Sequence, residues 1–328
     1  MLRLALAGIV SILASPIAHA DPGPDIEVEG AAADATLAFP CGELRCRGSL
    51  FLPPAASEPP PVVVMAHGLT LTREYLARRA ARFAQAGIAV FTFDYRNFGG
   101  SEGEPRYDVS APRQLEDWRA AIRFARSLRE VDGERMALFG TSYSGGHVLA
   151  LASRDDALRA VVAQVPYVGA AVEDERGFFF LPRVLLALAL DGVLRPFGSA
   201  FYVDVAGPPG ALAGITIAED QAELARLIAS VEPSNWRNRM PARVLYRVAT
   251  YVPDLEPEKI GCPVLFYATD ADRITPAAAV RALAARVPDA SFTLLEGGHF
   301  GVYLGASFER TVTEQIAFLG AHLARAPR

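Results

Sequence analysis

The chain has 328 residues, of which 51% are hydrophobic and 21% charged, so it can bury a large core and falls outside the disordered class. That length suits one large α/β domain with an insertion, or two modest domains. With 32 Lys+Arg against 37 Asp+Glu, a formal net charge of −5 and no basic block, nucleic acid is not expected as a partner.

Arg3 precedes the apolar run Leu4 to Leu13, and Ala18-His19-Ala20 stands just before Asp21. A positive start, a short apolar middle and an Ala-x-Ala end describe a cleavable export signal over residues 1–20. The run is short for a bilayer-crossing helix, so no stable membrane span is expected after cleavage. The mature protein is expected to be exported, either periplasmic or secreted. Residues 21–34, acidic and rich in Pro, Gly and Ala, read as a flexible leader.

Ala35 to Pro40 and Cys46 to Leu52 read as an antiparallel hairpin around Gly-Glu-Leu-Arg. Cys41 and Cys46 flank that turn, and an exported protein can bridge them or leave two free thiols; spacing alone does not decide. After a Pro-rich loop, Pro61 to Ala66 is an unbroken apolar run, the pattern of a strand buried on both faces. A helix carrying Leu76, Ala80 and Phe83 follows and stops at Gly87, and Ile88 to Phe93 is the next strand. Ser110 and Pro112 begin a helix presenting Leu115, Trp118, Ile122 and Ala125. Met136 to Phe139 is a strand, then come the turn at Ser142, a small-residue helix, and strand Ala160 to Val165.

The rhythm breaks between Tyr167 and Glu258. That stretch holds the apolar segment Phe178 to Leu190, interrupted by Pro182 and Arg183, a helical pattern from Ala218 to Ile228, and a third between Trp236 and Tyr251. The rhythm then resumes with strand Val264 to Ala268, helix Pro276 to Val287, strand Phe292 to Leu295, and a last helix through Phe308, Val312, Ile316, Leu319 and Leu323. Alternation of this kind builds a mostly parallel sheet with helices on both faces. The expected organisation is a core in two parts, 35–166 and 259–328, with a helical cap inserted at 167–258. An insertion after a strand lies over the C-terminal strand ends, where ligands bind in open α/β sheets. Its greasy composition implies a substrate with an apolar portion.

Within Arg135-Met-Ala-Leu-Phe-Gly-Thr-Ser-Tyr-Ser-Gly-Gly-His147, an apolar strand ends at Gly140 and a helix opens at Gly145 and Gly146. Ser142 falls on the turn between them, at a helix N-terminus that favours developing negative charge, and is the candidate nucleophile. Ser144 competes, but it would sit inside the helix start rather than on the turn.

A serine hydroxyl needs a base. Of the histidines outside the signal, His322 lies near the end of the last helix, His147 is confined by its own helix, and His67 shapes a loop. His299, in the glycine-rich loop Glu296-Gly-Gly-His-Phe300 past a strand end, is the candidate base. In Thr269-Asp-Ala-Asp-Arg-Ile-Thr-Pro276, Asp272 lies further past the strand and is the candidate orienting acid, with Asp270 as a loop brace. Both acids fit the chain order Ser, Asp, His. Backbone N–H groups of Tyr143 and Leu69 are the candidate oxyanion donors, with Gly68 permitting close approach. There is no paired Cys/His spacing of the zinc type and Cys262 reads as a buried small hydrophobe, so neither metal nor cofactor is expected.

On these pieces the chain resembles the α/β-hydrolase superfamily over nearly all its mature length. The matching segments are Ala66-His-Gly-Leu69, Asp94-Tyr-Arg-Asn-Phe-Gly-Gly-Ser-Glu-Gly103, Gly140-Thr-Ser-Tyr-Ser-Gly-Gly-His147, Asp272-Arg-Ile-Thr-Pro276 and Gly297-Gly-His-Phe300. More narrowly, it is similar to the serine aminopeptidase and acyl-peptidase-like group and to bacterial relatives of fungal polyketide transferases. In that group serine also occurs at the position of Ser144, and a helical cap is present. The resemblance makes Asp94 and Arg96 loop-bracing residues. Some relatives carry an acidic residue where this chain has Gly301, so a local contact beside His299 differs here.

The expected function is an exported serine esterase, cleaving a carboxylic ester or thioester through an acyl-enzyme. A peptidase on the same machinery would recognise a substrate N-terminus, with Glu173, Asp174 and Glu175 as the acidic cluster to do so. Acyl transfer to an alcohol or amine, which requires water to be kept out, and a non-catalytic binding protein complete the readings.

Overall fold

The computed structural model of the chain describes residues 33–54, 58–169, 180–231 and 235–324. The export signal, nearly all of the leader and the acidic cluster Glu173–Glu175 lie outside the described residues. The first hairpin is β1 (Ala35–Cys41) and β2 (Leu44–Phe51), so its turn is only Gly42 and Glu43, two residues tighter than expected. Gly42 sits at φ +66, a left-handed position that glycine adopts without strain. Cys41 and Cys46 are joined in a disulfide.

The apolar runs become β3 (Pro61–Ala66) and β4 (Ala89–Phe93), separated by α1 (Ala77–Gln85). Next come α2 (Ala111–Ser127), β5 (Asp132–Thr141), α3 (Tyr143–Ala152) and β6 (Ala160–Gln164). The elements of the segment that follows β6 come next. They are α4 (Phe180–Leu194), β7 (Tyr202–Ala206), β8 (Ala213–Ile215), α5 (Ala218–Ala229), β9 (Met240–Pro241) and α6 (Arg243–Thr250). The chain closes with β10 (Val264–Thr269), α7 (Ala277–Ala284), β11 (Ala290–Leu295) and α8 (Gly305–Leu323).

Eight strands form one sheet in the order β1-β2-β4-β3-β5-β6-β10-β11. The β1/β2 and β2/β4 pairs are antiparallel and every other pair is parallel. α1 packs with α8 and α2 with α3, covering the two faces. This is the expected parallel sheet with helices on both sides. The fully buried Val62–Ala66 run and Phe139, Phe91, Phe93 and Trp118 fill its core.

The segment between β6 and β10 departs from the expectation of helices alone, because β7, β8 and β9 form a second sheet in the order β8-β7-β9. β7 alternates, with Val203 and Val205 buried, but its partners are three and two residues long. Runs so short carry no readable period-2 signal. Pro182, expected to interrupt the apolar segment, lies in the first turn of α4, where the missing N–H has no intrahelical partner to lose. Among the described residues no helix is long and apolar enough to cross a membrane.

Register explains why distant sequence motifs meet. Thr141 at the end of β5 pairs with Gln164 at the end of β6, and Thr269 at the end of β10 pairs with Leu295 at the end of β11. The loops carrying Ser142, Asp272 and His299 therefore all leave the same edge of the sheet.

Candidate active site

Ser142 stands between β5 and α3 at φ 56 and ψ −122, a conformation that a residue with a Cβ adopts only under strain. Three backbone hydrogen bonds hold it there. Ser142 N–H donates to Gln164 O at 2.9 Å, while Ser142 O accepts from Gly145 N–H at 2.9 Å and Tyr167 N–H at 2.8 Å. The turn also requires α3 to press onto the sheet. A Cβ on Gly140 would stand 2.3 Å from Ser144 O, one on Gly145 2.7 Å from Pro166 Cα, and one on Gly146 2.3 Å from Tyr167 O. The crowding that makes glycine necessary thus falls on Gly140, Gly145 and Gly146. At position 144 it is relieved, because the Ser144 hydroxyl turns away to Tyr95 Oη at 2.9 Å. Trp118 Nε1–H donates to the same phenol at 2.8 Å. Ser144 is fully buried and engaged, whereas Ser142 is partly exposed.

His299 Nε2 lies 2.9 Å from Ser142 Oγ, and His299 Nδ1 lies 2.7 Å from Asp272 Oδ2. Asp272 is oriented in turn by the N–H groups of Ile274 (2.8 Å) and Thr275 (2.7 Å) and by the Thr275 hydroxyl at 2.7 Å. The structure therefore brings Ser142, His299 and Asp272 into one hydrogen-bonded line. The two loops are zipped to each other. Asp270 N–H donates to Leu295 O at 2.9 Å, Ala271 N–H to Gly297 O at 3.1 Å, and Gly297 N–H to Asp270 Oδ1 at 3.0 Å. Asp270 is exposed and braces the loop, as its position suggested.

Burial by itself would push the His299 imidazole down, but the Asp272 carboxylate hydrogen-bonded to it raises it above the ordinary histidine value. Burial would push Asp272 up, yet His299 and the Thr275 donors hold it below the usual carboxylate range. The Asp272 carboxylate accepts from Nδ1–H and so fixes the tautomer whose Nε2 lone pair faces Ser142, while the raised pKa makes that imidazole a stronger base.

The Tyr143 N–H is at the first residue of α3, where the helix ladder leaves donors unused. The loop His67-Gly68-Leu69 runs against Ser142, since a Cβ on Gly68 would lie 3.2 Å from Ser142 Cβ and 3.6 Å from its Oγ. Leu69 is the next residue of the same loop after Gly68. His67 donates Nδ1–H to Gly68 O at 2.8 Å, and burial lowers its affinity for a second proton. It shapes the loop. His147 is fully buried, donates Nε2–H to Gln114 Oε1 at 3.0 Å, and is pushed down to about 3 by burial, so it stays neutral. His322 is exposed. Asp94 accepts from Arg73 N–H at 2.8 Å and Gly100 N–H at 3.0 Å, and Arg96 pairs with Asp117, both as braces of the 94–103 loop.

Glu223 and Asp220 on α5 escaped the sequence reading. Glu223 accepts from Phe300 N–H at 3.0 Å and Gly298 N–H at 3.4 Å, gripping the His299 loop from both sides. A Cβ on Gly298 would stand 2.8 Å from its Oε2, and one on Gly301 3.7 Å from its Oε1. A carboxylate from α5 thus lies beside Gly301. Asp220, only 3% exposed, is pushed up to about 6 by burial, with Asp272 and Glu223 adding to the effect and His299 opposing it. Nothing local marks these acids, because Glu219, Asp220 and Glu223 read as the solvated face of an ordinary helix.

Cys41, Cys46 and Asp117 lie close enough together for a metal, but the two sulfurs are bonded to each other and Asp117 is held by Arg96. Metal ligation needs thiolates, so the cluster is unsuited to it.

The sheet order and the left-handed serine between strand and helix define an α/β hydrolase. The profile of the family described as serine aminopeptidase, S33, matches residues 57–300, and the chain belongs to that family of hydrolases. It is 36% identical over 284 residues to the quorum-quenching protein AidA of Acinetobacter baumannii, across 86% of this chain and 92% of that protein. It is 29% identical over 271 residues to the polyketide transferase af380 of Aspergillus fumigatus, across 80% and 90%. Among solved structures, the α/β hydrolase GrgF from a Penicillium species superposes with a TM-score of 0.73 at 22% identity, covering 89% of this chain and 99% of that one. That likeness supports the fold.

Proposed function

We propose that this hydrolase is an exported serine esterase that cleaves a carboxylic ester or thioester with an apolar portion. The observation that carries the reading is the continuous line Ser142 Oγ–His299 Nε2, 2.9 Å, and His299 Nδ1–Asp272 Oδ2, 2.7 Å. Ser142 attacks the carbonyl carbon while His299 Nε2 takes its proton, and Asp272 holds the resulting imidazolium. The Leu69 and Tyr143 N–H groups receive the oxyanion, each such donor contributing about 3–4 kcal/mol to the transition state. The tetrahedral adduct collapses as His299 returns the proton to the leaving oxygen or sulfur. Water then adds to the acyl-Ser142, again with His299 as base. Residues 167–258 act as a cap, and the clustered Tyr143, Tyr167 and Tyr251 rings, the last two stacked, join its α6 end to the serine turn. Export is supported by the pattern of residues 1–20 and by the Cys41–Cys46 disulfide, a bond that persists in oxidising compartments.

Fluorophosphonate labelling tests the assignment. The wild type and Ser144→Ala should label, and Ser142→Ala should not; labelling of Ser142→Ala places the nucleophile elsewhere. The likeness to a polyketide transferase favours acyl transfer as the second reading. Adding an alcohol or amine acceptor to an ester assay separates the two: a transferase yields the acyl-acceptor product in preference to the free acid.

A further inference from the structure

α4 is apolar on both sides. Its inner side packs through Val184 and Ala187 and is pinned by Asp191. The Asp191 carboxylate accepts from Phe201 N–H at 2.9 Å and from the Arg243 guanidinium at 2.6 and 2.8 Å. Among the described residues the outer side has no such cover. Leu181, Leu185, Leu186 and Val193 on the helix and Phe197 just beyond it are between 57% and 82% exposed, and Leu190 is 39% exposed. Residues spaced in this way lie along one face, and at 1.5 Å per residue the stripe from Leu181 to Phe197 runs about 24 Å. A helix apolar all round belongs in a core, so an outer face of this composition on a firmly anchored helix is built to be covered.

Charge indicates what covers it. Arg183 stands at one end of the stripe and Arg195 at the other, and both are exposed. Neither makes an ion pair among the described residues; Arg183 donates only to Gly210 O. The one acid on α4, Asp191, is buried under the opposite side and already paired. A second copy of the chain seated on α4 across a two-fold axis would bring arginine to arginine with no acid on either helix to answer. An anionic lipid surface answers both, because guanidinium heads reach phosphate while leucine, valine and phenylalanine enter the acyl boundary.

We infer that α4 and Phe197 form a docking face for an anionic lipid surface, on which the helix lies in the plane of the interface. The inference is independent of the hydrolytic reading, since none of these side chains belongs to the Ser142, Asp272 and His299 line. The full chain is mixed with vesicles of phosphatidylcholine alone, or of phosphatidylcholine with phosphatidylglycerol, and floated on a density gradient. The wild type should float with the anionic vesicles and less with the neutral ones, and salt should weaken the anionic preference. The triple variant Leu185→Gln/Leu186→Gln/Val193→Gln should lose vesicle affinity by about tenfold or more. Arg195→Glu, a change at an exposed position, should lose the anionic preference while folding normally. Retained fluorophosphonate labelling and circular dichroism report an intact fold independently. Failure of the wild type to float with anionic vesicles, or equal flotation of the triple variant, overturns the inference. So does a stable dimer in light scattering that the triple variant dissolves, since a second copy would then occupy the face.

Discussion

Replacing Glu223 with glutamine tests how far α5 governs the base. The carboxylate accepts a good hydrogen bond from Phe300 N–H (3.0 Å) and a long one from Gly298 N–H (3.4 Å), on the two residues flanking His299. A charge-assisted bond contributes about 1.5–3 kcal/mol and a neutral one about 0.5–1.5. The amide keeps one acceptor but turns its NH2 toward the other donor, so Glu223→Gln should lose about 1–1.5 kcal/mol, close to tenfold in kcat. Glu223→Ala leaves both donors unmatched and should lose about 2–3 kcal/mol, or roughly 30- to 150-fold. KM should change little, because the side chain acts through the backbone of the His299 loop. The pH profile supplies the sign. Glu223 and Asp220 help raise the His299 pKa. Removing one negative charge lowers it, and catalysis needs Nε2 unprotonated, so the acid limb of kcat/KM should move to lower pH. The assay is hydrolysis of a short-chain aryl ester across the acid range, with circular dichroism as the folding control. An unchanged kcat, or an acid limb moving to higher pH, refutes the coupling between α5 and His299.

Asp272→Asn should keep the fold, since the side-chain carbonyl still accepts from Ile274 and Thr275, but it favours the wrong imidazole tautomer. A fall in kcat on the order of 10³–10⁴ is expected with protein normalised by mass, and a loss below tenfold would remove Asp272 from its role. Asp191→Ala leaves the Arg243 guanidinium, 13% exposed, without its carboxylate, and should destabilise the protein by about 3–5 kcal/mol in urea unfolding. A shift under about 1 kcal/mol would mark the pair as an ordinary surface bridge. Alkylation of the folded chain should leave Cys41 and Cys46 unmodified until reduction. Cys262, buried and pushed up to about 11, should react only on unfolding. Uptake of label at Cys41 without reductant would contradict the disulfide.

Much of this molecule was legible in one dimension. The apolar runs at 61–66, 88–93, 136–139, 160–165 and 264–268 supply buried parallel strands, because a strand covered on both faces has no polar side to display. Ser142 was readable because its backbone demands small neighbours, and the glycines around it record the crowding of α3 on β5. His299 and the choice of Asp272 over Asp270 followed from where loops leave a parallel sheet. The weaknesses lay where the signal is short or distributed. β8 and β9 are too brief for any period to show, and the hairpin turn is Gly42–Glu43 alone because Leu44 and Arg45 already pair with Cys41 and Pro40.

By itself, then, the sequence determined the sheet, the strained serine and the chain order of serine, acid and base, since each is written in local sterics and burial. Only the tertiary structure decided that the Ser144 hydroxyl turns to Tyr95, that the sulfurs of Cys41 and Cys46 meet, and that Glu223 reaches the amides of the His299 loop. Those contacts depend on the relative placement of separately stable elements. The carboxylate that grips Gly298 and Phe300 starts more than seventy residues upstream, on a helix whose own pattern records only which side faces the core.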